Sequence, residues 1–402
     1  MGCRVALGDI CDINTSQYST KEAWPRIQYL DTGNVTRGVI SELQQLDPLT
    51  GKVPSRARRK VKPNSIVYSM VRPNQGHYAL LKNPPVNMLV STGFSVIDAD
   101  ESQVLPSYLY YALTTKEATE GFQALAEQSV STYPTLSSAD LLAFEVALPP
   151  LKCQQQVAAV LERIDEKMAA NAKLNGYLEE LARAMYVNAM QEHADSAALR
   201  DLAEFNPETY SPKENWSAVS YIDTSALMLN DLAGLQHFNL AEEKLPARAR
   251  RKVSDGDILY STVRPNQNHY GLLYGPVPHM LASTAFAVIR PNDTIMSPLV
   301  YLALTDARIT KTLQQLAETS TSTIPSIRPV DLEQIAVLVP SDECGNEIAA
   351  QIGTAFKQID CNKRENRKLA ALRDALLPKL MSGEIDVSKV DLTQLNSHLS
   401  DC

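Results

Sequence analysis

One stretch of this 402-residue chain occurs twice, and the repeat constrains any fold it can adopt. Pro54-Ser-Arg-Ala-Arg-Arg-Lys-Val61, followed by Ile66-Val-Tyr-Ser-Met-Val-Arg-Pro-Asn-Gln-Gly-His-Tyr78, returns as Pro246-Ala-Arg-Ala-Arg-Arg-Lys-Val253 and Ile258-Leu-Tyr-Ser-Thr-Val-Arg-Pro-Asn-Gln-Asn-His-Tyr270. Every matched position lies 192 residues on. A repeat kept only by packing would hold its apolar pattern and let surface letters drift. Here the matched letters are largely polar. Arg56, Arg58, Arg59, Lys60, Arg72, Asn74, Gln75, His77 and Tyr78 face Arg248, Arg250, Arg251, Lys252, Arg264, Asn266, Gln267, His269 and Tyr270. These residue types contact phosphates and base edges, so a duplicated DNA-reading domain is expected.

The repeat extends along the chain. Leu7-Gly-Asp9 returns as Leu199-Arg-Asp201, Trp24 as Trp216, Tyr29-Leu-Asp-Thr32 as Tyr221-Ile-Asp-Thr224, and Ser91-Thr-Gly-Phe94 as Ser283-Thr-Ala-Phe286. The offset slips to 191 at Ser131-Thr-Tyr-Pro134 and Ser322-Thr-Ile-Pro325, and to 195 at Ile164-Asp165 and Ile359-Asp360. The expected organisation is a first recognition domain (1–150), a central helix (151–192), a second recognition domain (193–342), a carboxy-terminal helix (343–382) and a polar tail (383–402).

Each domain reads as mixed α/β (α+β). Ile27–Asp31, Ser65–Val71, Ser91–Ile97 and Phe144–Leu148 have strand composition, and Pro106–Thr115 and Glu117–Ala126 have helical composition. Pro149-Pro150 ends the domain. Beyond it Val157, Val160, Leu161, Ile164, Met168, Leu174, Leu178, Leu181 and Met185 recur at intervals of three and four. That stripe predicts a helix of roughly 35 residues, about 50 Å long, with a coiled-coil partner. The repeat supplies the partner. Two equal helices, each carrying a domain, pack most simply as an antiparallel pair with pseudo-twofold symmetry. Asn171 and Asn366, near mid-stripe, either fix the register or lie in solvent at its edge.

Several classes are excluded. No apolar run approaches the roughly 18 residues of a membrane helix, and the amino terminus does not read as a signal peptide. Six scattered cysteines without a Cys-x-x-Cys spacing argue against zinc and a disulfide framework, and suit the cytoplasm. No P-loop, zinc-protease or serine-hydrolase motif is present. Asn83-Pro-Pro-Val86 resembles an adenine methyltransferase motif but lacks its aromatic residue and a glycine-rich cofactor loop. A net charge of −8 confines any DNA contact to local basic patches.

Two readings stay open at each candidate site. The basic block supplies phosphate contacts or guanine-binding arginines, or it is a solvated loop. The Arg-Pro-Asn-Gln turn presents amides to adenine, or Asn74 and His77 satisfy their own loop's backbone. Gly76 and Asn268 mark where the copies differ.

The chain resembles the specificity subunits of type I restriction-modification systems. Leu148-Pro-Pro-Leu-Lys-Cys-Gln-Gln-Gln156 is similar to the start of that family's conserved helical region, and Leu376-Leu-Pro-Lys-Leu-Met-Ser-Gly-Glu-Ile385 to its end. Gly256-Asp-Ile-Leu-Tyr-Ser261 and Ser283-Thr-Ala-Phe-Ala-Val-Ile289 are similar to strands shared by its recognition domains, although the first copy reads Pro63-Asn-Ser-Ile-Val67 instead. The resemblance implies a non-catalytic subunit that binds double-stranded DNA at a two-part site. It implies two methyltransferase subunits and the restriction/translocase subunits as partners. It also implies no cofactor in this chain, S-adenosylmethionine belonging to the methyltransferase. The helix pair is expected to hold the domains some tens of Å apart, comparable with the ~34 Å of one DNA turn. The alternative is a duplicated structural or protein-interaction module without a DNA target.

Overall fold

The computed structural model describes residues 3–49, 51–129, 133–192, 194–320, 324–340 and 343–387. They form two compact units, Met1–Ala169 with Glu365–Cys402, and Ala170–Arg364. The division falls inside both long helices, because each helix end packs into the core of the domain beside it.

In the first unit two four-stranded sheets carry the domain. One orders Gln44–Leu46, Ile27–Leu30, Met88–Ser91 and Ala57–Lys60; the other orders Cys11–Ile13, Phe94–Ala99, Ser65–Ser69 and Tyr78–Leu81. Cys3–Ala6 pairs antiparallel with Glu145–Leu148. The stretch Ser91–Ile97, expected as one strand, belongs to two. Thr92-Gly93 turns the chain, Ser91 Oγ accepts from Gly93 N at 3.3 Å, and the strands on either side enter different sheets. A continuous β-branched and aromatic run masks such a crossing. The apolar helix Pro106–Leu113 and the amphipathic helix Lys116–Glu127 cover the second sheet.

The second unit repeats this plan. Gln236–Asn239, Ala218–Ile222, Met280–Ser283 and Ala249–Lys252 form one sheet; Ala203–Phe205, Phe286–Pro291, Ile258–Ser261 and Tyr270–Leu272 form the other. Even the irregularities recur. The pairing slips between Val90 and Ser91 in one copy and between Ala249 and Arg251 in the other.

The long helices are Leu151–Glu192 and Glu343–Ser382. The buried Gln154 fixes the start of the first. Its Nε2 donates to Pro149 O at 2.8 Å and Gln103 O at 3.1 Å, and its Oε1 accepts from Leu105 N at 2.8 Å. In the first unit Val157, Val160 and Leu161 join Leu377 and Leu380 in the domain core. Asp165 meets Arg373, Lys167 meets Glu365, and Asn366 Nδ2 donates to Met168 O at 3.0 Å. Partner numbers fall as the first helix advances, so the segments run antiparallel. In the second unit Leu178, Ala182 and Met185 pack with Ile352, Phe356 and Ile359, and Asn362 Nδ2 donates to Asn175 Oδ1 at 2.7 Å.

The buried face departs from the expected stripe after Ile164. Leu174 and Leu181 are exposed, whereas Asn171, Ala182 and Ala189 are buried. Both asparagines turn inward: Asn171 is buried, and Asn366 is bonded to the opposing backbone. Polar side chains of this kind tie helix register to specific partners.

Candidate nucleic-acid interface

Ala57–Lys60 forms the edge of its sheet, touched on its outer side by the Gln17 to Arg59 bridge. Ala57 packs inward with Tyr18, Ile27, Tyr29 and Leu89. Arg56 and Arg58 are exposed, and Arg58 Nε donates to Ser55 O at 3.3 Å. Arg59 is half-buried with one enclosed guanidinium nitrogen, and burial lowers its pKa. Arg251 repeats the arrangement.

The lysines are clamped within their own domains. Lys60 is bonded to Glu22 and lies 5.2 Å above the Trp24 ring. Lys252 stands 2.6 Å from Glu214 and 5.3 Å above Trp216. In each case the lysine's hydrogen bond holds the glutamate pKa below its usual value. The repeated Glu-x-Trp at 22–24 and 214–216 was the available sequence signal for these clamps. The outward cations of the block are therefore Arg56 and Arg58, with Arg248 and the half-buried Arg250.

The Arg-Pro-Asn-Gln turn is a short 3-10 helix in both copies. Arg72 and Arg264 adopt φ of 48° and 47° ahead of it, and Gly76 and Asn268 adopt φ of 71° and 56° after it. Glycine and asparagine tolerate the left-handed region best. The difference between the copies is thus one that the backbone permits. Asn74, Gln75, Asn266 and Gln267 are exposed. Asn74 N donates to Gln123 Oε1 at 3.4 Å and Asn266 N to Gln314 Oε1 at 3.3 Å, seating each turn on a helix. Asn74 also lines a cleft of about 870 Å3 with Arg4, Arg37, Gln123 and Arg373.

Two residue pairs of the motif serve the fold. His77 Nδ1 lies 2.6 Å from Val35 O, and His269 Nδ1 lies 2.7 Å from Leu227 O. Tyr78 and Tyr270, grouped with the DNA-contact candidates by their place in the repeat, lie in the cores. Tyr78 stacks on Tyr68 at 5.5 Å and meets Tyr110 edge-on; Tyr270 does the same with Tyr260 at 5.6 Å and Tyr301.

Backbone bonds join the basic block and the turn into one ridge. Arg56 O accepts from Thr92 N at 2.9 Å, Gly93 O from Met70 N at 2.9 Å, and Met70 O from Leu136 N at 2.7 Å; Arg72 N donates to Pro134 O at 2.9 Å. In the second copy Arg248 O accepts from Thr284 N, Ala285 O from Thr262 N and Thr262 O from Ile327 N, each at 2.8 Å, and Arg264 N donates to Pro325 O at 3.0 Å. Segments far apart in sequence thus present exposed arginines and amides along one connected edge. Tyr133, which the sequence reading did not select, extends this edge, with the Arg72 guanidinium 4.8 Å from its ring centre. Among the described residues no His, Cys, Asp and Glu cluster could hold a metal ion, and no helix is long and apolar enough to cross a membrane.

The family model described as "Type I restriction modification DNA specificity domain" matches residues 4–180. The chain is 23% identical over 463 residues to the specificity subunit of the type I restriction enzyme HindI of Haemophilus influenzae, covering 94% of this chain and 98% of that protein. It is 21% identical over 412 residues to the type I restriction enzyme MjaIX specificity subunit of Methanocaldococcus jannaschii, covering 96% and 93%. Among solved structures, the type I restriction-modification S subunit from M. genitalium matches with a TM-score of 0.59 at 17% identity, over 94% of this chain and 96% of that one. At that identity the likeness is one of fold.

Proposed function

We propose, for a chain that belongs to the type I restriction-modification specificity family, that each ridge reads one half of a two-part DNA site. The subunit is DNA-binding and non-catalytic, and its partners are the modification and restriction subunits of its system. Two methyltransferase subunits, one for each half-site, would carry S-adenosylmethionine and act on flipped adenines. The complex would work in the cytoplasm. The long helices would set the number of unread base pairs between the half-sites.

The observation that carries this reading is the ridge itself, built twice by the same chain of backbone bonds and bearing the same arginines and amides. Arg56 and Arg58 suit phosphate contact, and Asn74 and Gln75 suit base edges. With a net charge of −8, binding must concentrate on such local patches. Readers this closely matched in sequence, if set about a pseudo-twofold axis, would favour similar half-sites on opposite strands, hence a nearly palindromic interrupted target. The alternative of a module without a DNA target has no such support, since the matching family is described by DNA specificity.

Sequencing of methylated sites in a host carrying the complete system tests the reading. The expected result is one gapped, near-palindromic motif. Two unrelated half-sites would overturn the symmetry, and the absence of any motif would overturn the function.

A further inference from the structure

The matched cations and amides of the two ridges cannot tell one half-site from the other. Any difference in what the halves prefer must arise where the ridges differ. Met70 and Thr262 differ but lie at the ridge's inner strand end, Met70 being buried. Gly93 and Ala285 differ by one methyl group. A large, exposed mismatch at the ridge is Tyr133 against Ile324, 54% and 49% accessible. Both sit immediately before the proline whose carbonyl accepts from Arg72 N or Arg264 N. The bridges from Val71 to Thr135 and from Val263 to Ser326 hold the two segments in the same register. Other divergences lie off this edge or are engaged elsewhere: Gly76 against the half-buried Asn268 closes the turn, Arg328, where the first copy has Ser137, is held by Asp331 at 2.8 Å, and Thr36-Arg37 against Met228-Leu229 is tied to the far side of the turn. There Arg37 N donates to Gly76 O and Leu229 N to Asn268 O, and Arg37 faces the cleft.

We propose that Tyr133 and Ile324 contact base edges and set the position at which the two half-sites differ in preference. This rests on the DNA-reading function above. Isoleucine carries no hydrogen-bonding side-chain atom, and the apolar feature of a base-pair edge in the major groove is the thymine methyl group. Ile324 therefore selects thymine at its position. Tyr133 presents a ring oriented by Arg72 and a hydroxyl that can donate or accept. It therefore tolerates bases that Ile324 rejects.

The test uses the full chain in complex with its methyltransferase partner, selecting from a pool of randomised duplexes. Three proteins are compared: the natural chain, the exchange variant Tyr133→Ile with Ile324→Tyr, and Ile324→Ala. The exchange is expected to swap the base preference at one position between half-sites and leave the other positions unchanged. Ile324→Ala is expected to reduce discrimination for thymine by on the order of tenfold. An unchanged base profile in both variants, with selection by the natural chain intact, overturns this inference alone. A flat profile from the natural chain overturns the DNA-reading function and this inference with it.

Discussion

Arg373 of the carboxy-terminal helix donates from Nη1 to Asp165 Oδ1 of the central helix at 2.9 Å, across 208 residues of sequence. Tyr111 of the recognition domain donates to the other Asp165 oxygen at 2.7 Å. One carboxylate thus ties both helices to the domain. Burial opposes the charge on Arg373, but Asp165 and Asp374 override it and raise its pKa. The counterpart of Asp165 in the second unit, Asp360, pairs among the described residues with Arg364 one helical turn away and with no residue of the opposing helix. The pseudo-symmetry is broken here.

Replacing Asp165 with Ala is expected to cost about 1–3 kcal/mol, because a largely buried guanidinium loses its cross-helix partner. Asp360→Ala should cost no more than about 0.5 kcal/mol, as for other pairs one turn apart. Urea unfolding of the two variants measures the contrast, and equal costs would contradict it.

The arginines and lysines of the basic block separate by function. Arg58→Ala with Arg250→Ala should weaken DNA binding and reduce the slope of log affinity against log salt by about 2. Lys60→Ala with Lys252→Ala should leave that slope nearly unchanged and lower thermal stability instead, since these lysines already serve Glu22 and Glu214. Binding titrations at several salt concentrations distinguish the two pairs.

The same clamps give a pH dependence. Glu22 and Glu214 have pKa values lowered by their lysines. Their contribution is complete above the ordinary glutamate value of 4.5 and is lost as the pH falls through the lowered values. Glu22→Gln with Glu214→Gln should therefore flatten the decline in Tm on the acid side and reduce Tm near neutrality. A decline as steep as that of the natural chain would show that other groups govern it.

A compensated exchange distinguishes the two domain cores. In the first copy Asp98 accepts from Ser65 at 2.6 Å and Thr15 at 3.0 Å, and lies 3.5 Å from Lys62. In the second copy Arg290 occupies the place of Asp98 and donates to Asp257, Glu208 and Ser254, each within 2.9 Å. Asp257→Ser should cost about 2–4 kcal/mol by leaving Arg290 poorly paired. Adding Arg290→Asp, which restores the first copy's Ser and Asp, should recover part of that loss. A double variant no more stable than the single would refute the exchange.

The duplication was legible because polar letters recurred at a fixed offset, and the long helices because apolar letters recurred at three and four. Residue type alone could not show which members of a repeated block face outward. Tyr78 and His77 lie in the same motif as Asn74, yet one closes a core and the other holds the Val35 carbonyl. Lys60 reads like Arg58 until Glu22 and Trp24 fold against it. The turn at Thr92-Gly93 was hidden for a similar reason: strand-forming letters surround it, and only tertiary pairing assigns its two sides to different sheets. The inward turn of Asn171 at the expense of Leu174 likewise depends on what the opposing helix presents.

The first unit is discontinuous, since its core takes Leu377 and Leu380 from the far end of the chain. A ribosome therefore releases the amino-terminal domain long before the residues that complete it exist. The second unit, Ala170–Arg364, is one unbroken segment and can finish first. The last residues each core needs are thus made in the reverse order of the first, and a nascent chain that stalls near its end leaves the earlier-made domain with an open apolar seam.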